Sequence, residues 1–259
     1  MFRDFLGLVL DLELLDRYGW RFLEGVSVTA QLVAISFTLG GILGLLLGLA
    51  RLSDSKPLQW FARGYIYFFR GSPLLAQLFL LYYGLGSLRP FWTELGLWWF
   101  FREAWYCALL AFTLNTAAYQ AEIFRGAIQS VPRGQREAAA ALGMHKALTF
   151  AKVIFPQAMI VALRPLGNEL ILMVKASAIA SLVTIYDLMG VTKLAFSRSY
   201  NFELYLWAAV LYLIIVECIR RLWTVLERRL TRHLRAGELQ PVQTTWLSRM
   251  TKTVLKPNA

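Results

Sequence analysis

Charged side chains are scarce in this sequence: Asp, Glu, Lys and Arg make up 17% of its 259 residues, against 58% hydrophobic. An ordinary globular domain carries about a quarter of its residues charged. The scarcity, together with a mean hydropathy of +0.51, excludes a soluble enzyme on a single anchor and predicts that membrane spans are themselves the domain. Cysteine is nearly missing as well. Cys107 and Cys218 both lie in apolar stretches, so a disulfide framework is excluded and both read as small hydrophobes. The histidines, His145 and His233, have no metal-ligand spacing, and no nucleophile, base and orienting group converge. These two absences argue against a metal centre and a membrane-embedded enzyme. A phosphate loop, G-x-x-x-x-G-K followed by Ser or Thr, does not occur, so any ATP must be hydrolysed on another chain. Residues 1–24 lack a basic start, an apolar core and a small-residue cleavage site, and read as a periplasmic N-terminal arm rather than a signal peptide.

What is present is a series of apolar runs. Five reach spanning length, at residues 25–50, 71–88, 104–124, 156–183 and 204–223. Together they predict an all-α integral membrane protein with a transmembrane domain at 25–225 and a basic cytoplasmic tail at 226–259. Gly40, Gly44 and Gly48 recur every four residues in the first run, the spacing of a closely packed helix face. Between the first two runs lies an amphipathic connector, Leu58–Phe69, suited to the membrane surface. The Trp-rich stretch "RPFWTELGLWWFFRE" reads as an interfacial loop, and "TIYDLMGVTKLAFSRSYNFE" as an irregular or surface segment.

The net charge of +11 is explained by topology, with no nucleic-acid partner needed. Arg51, Lys56 and Arg63, then Arg125, Arg133, Arg136, Lys146 and Lys152, then the basic run from Arg220 onward, all fall on one side. The other side holds the sparser set Arg3, Arg17, Arg21, Arg89, Arg102, Lys193 and Arg198. By the positive-inside rule the N-terminus is periplasmic and the C-terminus cytoplasmic.

Polar residues inside the runs mark a pathway or a structural pair. Asn115, Tyr119 and Glu122 share one face of the third run, and Glu122 is three residues from Arg125, the spacing of an ion pair. The fourth run carries Pro165 and Gly167 and reads as a broken helix bearing Arg164, Asn168, Glu169 and Lys175. Glu169 either faces a cationic substrate or pairs with Arg164 or another buried cation. Asn168 either donates to a carboxylate or satisfies the break beside Pro165. Arg70 reads as a headgroup anchor or a subunit contact.

The cytoplasmic loop 126–156 contains "GQREAAAALGMHKALTFAKVIFPQAM", a helix start, a Gly exit and a second short helix. Pro156 resets the backbone at the head of the next span. Glu137, Ala138, Ala139, Gly143, Val153, Phe155 and Pro156 stand in the order and spacing of the EAA loop, which this stretch resembles; that loop belongs to bacterial ABC importer permeases. Val153 and Phe155 are mild departures. "YIYFFRGSPLLAQLFLLYYGL", with Ser72 in place of the usual Thr, "LNTAAYQAEIFRGAIQSVPRGQREAA" and "NELILMVKASAIASL" are similar to the polar amino acid branch. They extend the resemblance over most of residues 20–230. Within that branch the chain is most similar to M-type permeases for histidine, other basic amino acids and opines.

The resemblance implies a MetI-like permease fold in the bacterial inner membrane. It also implies a homologous Q-type partner subunit, two cytoplasmic ATPases holding the ATP and Mg²⁺, a periplasmic amino acid binding protein, and no cofactor on this chain. Gly134, Glu137, Ala138, Ala139, Gly143 and Pro156 become the ATPase-coupling residues, and Glu169, Asn168, Asn115 and Tyr119 the substrate pathway. Ala176 stands where relatives that hold an amino acid directly often carry an acid, which shifts the expected main site toward the partner subunit. A permease for glutamine or glutamate is the alternative, and an ion-coupled secondary transporter is the rival from another class.

Overall fold

The computed structural model describes residues 12–231. The first part of the N-terminal arm and the tail from residue 232, with His233, lie outside the described residues. Helices cover every apolar run. Helix α1, Leu12–Leu52, is about 60 Å long at 1.5 Å per residue, so it begins well upstream of its apolar run. α2 spans Lys56–Gly71, with Pro57 in its first turn where a missing N–H costs nothing. α3, Leu74–Phe79, continues through a π-helical turn at Leu80–Gly84. Among the described residues two helices are long and apolar enough to cross a membrane, Asp16–Leu52 and Lys146–Val183, and Leu74–Gly84 is a shorter apolar one.

The expected Trp-rich loop is folded. It contains α4, Arg89–Glu94, and α5, Trp98–Phe101, with the Trp92 ring stacked on Phe101 at 4.0 Å between centroids. α6, Ala104–Ser130, forms the centre of the molecule, and α1 lies along it. The glycine spacing explains the contact. A Cβ at Gly44 would sit 2.9 Å from Ala117 O and one at Gly48 2.9 Å from Ala121 O, so only glycine lets the two backbones approach this closely. Buried Gln120 donates across the same interface to Phe37 O at 3.1 Å.

α7, Arg133–Ala141, and α8, Lys146–Thr149, form the cytoplasmic-loop bracket. α8 then runs through a π-helical turn, Phe150–Ile154, into α9, Phe155–Ala176. Two expectations change here. Pro156 does not reset the chain, because Lys146–Val183 is one continuous helical rod. Nor is the rod broken at Pro165 and Gly167. Pro165 lies inside α9, and Gly167 is there to admit a neighbour: a Cβ would fall 2.5 Å from the Trp223 indole. Regular α-helix ends instead at Ala176, where a 3₁₀ turn, Ser177–Val183, leads to Thr184 at φ 62°.

The segment expected to be irregular forms α10, Leu188–Ser199. Asp187 caps it, accepting from Gly190 N at 2.9 Å, and Leu188 N–H donates to Thr29 Oγ1 at 3.1 Å. α11, Glu203–Leu230, completes the fold. It packs on α9 through Trp223, whose indole N–H donates to Leu163 O at 2.7 Å.

Candidate functional site

Two regions collect the residues singled out in the sequence. The first is a cavity of about 430 Å³ among the end of α2, α6 and α9, lined in part by Arg70, Asn115, Thr116, Tyr119, Glu169 and Ala176. α9 brings Glu169 to its wall, where Thr116 Oγ1 donates to Glu169 Oε1 at 3.0 Å. Arg164, the partner considered for Glu169, is instead engaged by Glu227 of α11 at 2.8 Å. Opposite, the guanidinium carbon of Arg70 stands 5.2 Å from the centre of the Tyr119 ring, a cation–π geometry. Among the described residues Arg70 makes no ion pair, and it lines the cavity. A carboxylate and a guanidinium therefore line the same space without neutralising each other directly.

Within this chain, then, Arg70 lines the cavity beside Tyr119. That placement was not visible locally: Arg70 stands in the last turn of α2, and the ring beside it belongs to Tyr119 on α6. Asn168 is exposed on α9 and does not line the cavity, and with α9 unbroken it has no helix break to satisfy. Asn115 lines the cavity, but both of its N–H groups point into the fold, at Phe69 O and Gln77 Oε1.

The cavity continues into a wider cleft of about 760 Å³ that shares Arg70 and Tyr119 and adds Arg51, Arg63 and Glu122. Glu122 is held as a structural pair. Arg125 donates to its Oε2 from Nε at 3.0 Å and Nη2 at 2.7 Å, and Arg51 lies 3.6 Å from Oε1.

The second region is the α7–α8 bracket. α7 ends in a Schellman motif: Met144 N–H donates to Ala139 O at 3.0 Å and Gly143 N–H to Ala140 O at 2.9 Å, with Gly143 at φ 74°. That left-handed conformation explains why glycine stands at 143. His145 then caps α8, its Nδ1 accepting from Leu148 N–H at 3.3 Å. Of the alanines, Ala139 is buried against the rod, while Glu137 and Ala138 are exposed and Leu142 projects with 81% of its surface open. Glu137 makes no ion pair among the described residues, so pairing with Arg133 or Arg136 does not occupy it. Arg136 instead donates to Ile128 O at 3.3 Å, tying α7 to the end of α6. A Cβ at Gly134 would meet nothing within 4 Å, and Pro156 lies in the rod just after the π turn, where Gln157 Nε2 donates to Val153 O at 2.9 Å.

An apolar helical bundle with a charged internal cavity and an exposed, rigidly mounted helix bracket has the form of a permease that is driven from outside its own chain. Residues 40–232 match the family described as binding-protein-dependent transport system inner membrane component, and the chain belongs to it. It is therefore an inner-membrane permease component of an ABC importer, not an enzyme, and such a component works with an ATPase and a substrate-binding protein.

Among its relatives, the nopaline transport system permease protein NocM of Agrobacterium fabrum is 41% identical over 88% of this chain and 95% of its own. The histidine/lysine/arginine/ornithine transport system permease protein HisM of Escherichia coli is 39% identical over 84% and 91%. A solved amino acid ABC transporter crystallised with histidines superposes with a TM-score of 0.74 at 36% identity, covering 85% of this chain and 99% of that one. The methionine transporter MetNI shares the fold alone, with a TM-score of 0.66 at 21% identity over 82% of this chain and 97% of that one.

Proposed function

We propose that this chain is the M-type half of a permease pair that imports basic amino acids or arginine-derived opines. The observation that carries the reading is the facing of Arg70 and Glu169 across one cavity with no ion pair between them among the described residues. A zwitterionic substrate with a second positive charge fits such a site. Its carboxylate meets Arg70, its ammonium or guanidinium meets Glu169, and Tyr119 backs the cationic side chain of Arg70. An opine adds a further carboxylate, which the basic cleft with Arg51 and Arg63 can receive. The names of the relatives, nopaline and histidine/lysine/arginine/ornithine permeases, support the same substrate class.

In this reading five spans cross the membrane within residues 25–225, with the arm at 1–24 periplasmic and the loop 126–156 and the tail from 226 cytoplasmic. A homologous Q-type subunit completes the pathway, and two ATPases carry the ATP and Mg²⁺, leaving this chain without a cofactor. The exposed face of α7, with Glu137, Ala138 and Leu142, docks on an ATPase, where small side chains permit close approach. Because α8, the π turn and α9 form one rod, a push on the bracket is delivered to the helix that carries Glu169.

Uptake of labelled arginine by the reconstituted complex, with histidine, lysine, an opine and glutamine as competitors, tests the substrate class. Competition by the first three and weak competition by glutamine is the expected result; equal competition by glutamine rejects it in favour of a general polar amino acid permease.

A further inference from the structure

The turn that carries Arg70 is held by side chains from two other helices. α2 ends at Gly71, and the last carbonyls of a helix have no intrahelical donor. Gln77 of α3, only 4% exposed, supplies them. Its Nε2, with two N–H groups, is shared among three acceptors: Phe69 O at 3.0 Å, Ser72 O at 3.0 Å and Ser72 Oγ at 2.8 Å. Asn115 of α6 locks Gln77 in turn, its Nδ2 donating to Gln77 Oε1 at 3.0 Å and to Phe69 O at 3.1 Å. Phe69 also packs on Tyr65, with ring centroids 4.5 Å apart, while a Cβ on Gly71 would meet nothing within 4 Å.

A primary amide has two N–H donors and one carbonyl acceptor. Both donors of Asn115 are engaged with the chain, so none remains for a substrate carboxylate, even though Asn115 lines the cavity.

We infer that Asn115 and Gln77 are positioning residues that clamp the Phe69–Ser72 turn so that Arg70 faces Glu169. This rests on the reading of Arg70 as the pole that receives the substrate carboxylate. Asn115 and Thr116 are neighbours on α6, one tying down the Arg70 turn and the other bonding Glu169. A single turn of one helix therefore sets the separation of the two charged poles, and with it the length of substrate that spans them.

The test is binding of labelled arginine to the purified permease–ATPase complex without binding protein. The variants are Asn115→Asp, Gln77→Glu, Arg70→Gln, and the first two each combined with Arg70→Gln. Asn115→Asp removes both donors at constant shape, and Gln77→Glu removes the donations to the turn while still accepting from Asn115. Co-elution with the ATPase checks assembly. Each clamp variant should weaken binding about tenfold, the scale of one hydrogen bond that directs a charge. In the Arg70→Gln background neither should weaken it further, because a clamp that acts through Arg70 has nothing left to position.

Multiplicative losses in the double variants, or wild-type binding by both clamp variants, overturn the inference. Wild-type binding by Arg70→Gln instead overturns the carboxylate role of Arg70 on which it rests. Where Asn115→Asp fails to assemble, the Gln77→Glu single and double variants give the answer.

Discussion

Arg164 Nη2 lies 2.8 Å from Glu227 Oε1, joining α9 to α11 on the outer side of the rod. The consequence falls on Glu169, five residues further along α9. The cation nearest to it in sequence is engaged elsewhere, and the Thr116 hydroxyl is its hydrogen-bond partner. An acid set in an apolar helix without a cation at ion-pair distance is costly to maintain. A passing cationic group compensates that cost.

Glu169→Gln keeps the shape and the bond to Thr116 and removes the charge. It should weaken binding and uptake of arginine by about tenfold or more, the scale of a hydrogen bond to a charged group. Assembly with the ATPase should persist. Unchanged uptake in proteoliposomes would remove Glu169 from the pathway.

The α1–α6 contact predicts a stability effect far from the cavity. Gly44→Val places its Cβ 2.9 Å from both Ala117 O and Gln120 Cβ, so the helices must separate. Overpacking of this kind costs about 1–3 kcal/mol. Thermal unfolding in detergent should therefore shift downward, whereas Gly64→Ala, inside α2 with nothing within 4 Å, should not lower it. Equal midpoints for the two variants would contradict the close-packing account.

Trp223 and Gly167 form a second such pair. Trp223→Phe keeps most of the ring but loses the N–H bond to Leu163 O at 2.7 Å, a loss of about 1 kcal/mol. Gly167→Leu blocks the niche itself and should be the more destabilising of the two. The reverse order in a melting experiment would mean that the niche relaxes.

These pairs also show what could and could not be read from the sequence. The four-residue spacing of Gly40, Gly44 and Gly48 announced close packing because the signal is local and periodic, and the partner helix followed as α6. Glu137, Ala138, Ala139 and Gly143 announced the bracket in the same way, and the φ of Gly143 gives the glycine its reason.

Gly167 misled. Beside Pro165 it reads as a helix breaker, but its partner Trp223 is on another helix, and nothing in the local sequence points there. The true end of α9, at Ala176 and the 3₁₀ turn after it, lies in the unremarkable string "KASAIAS". α10 was legible only in part, because Asp187 is a residue type that caps helix starts, but no amphipathic stripe drew attention to it. The surroundings of Arg70 were the least legible. Its orientation depends on Gln77 and Asn115, two amides whose purpose emerges only when three helices meet.

The central claim is that the α7–α8 bracket transmits ATP hydrolysis on another chain to the helix carrying Glu169. ATP hydrolysis and arginine uptake measured side by side, in proteoliposomes holding the complete complex with binding protein outside, test it most directly in Gly143→Pro. Proline cannot adopt φ 74°, and it lacks the N–H that Gly143 donates to Ala140 O, so the Schellman turn must open. The account predicts continued hydrolysis with uptake reduced at least about tenfold, a loss of some 1.4 kcal/mol of coupling. Uptake per ATP equal to that of the wild type would contradict it.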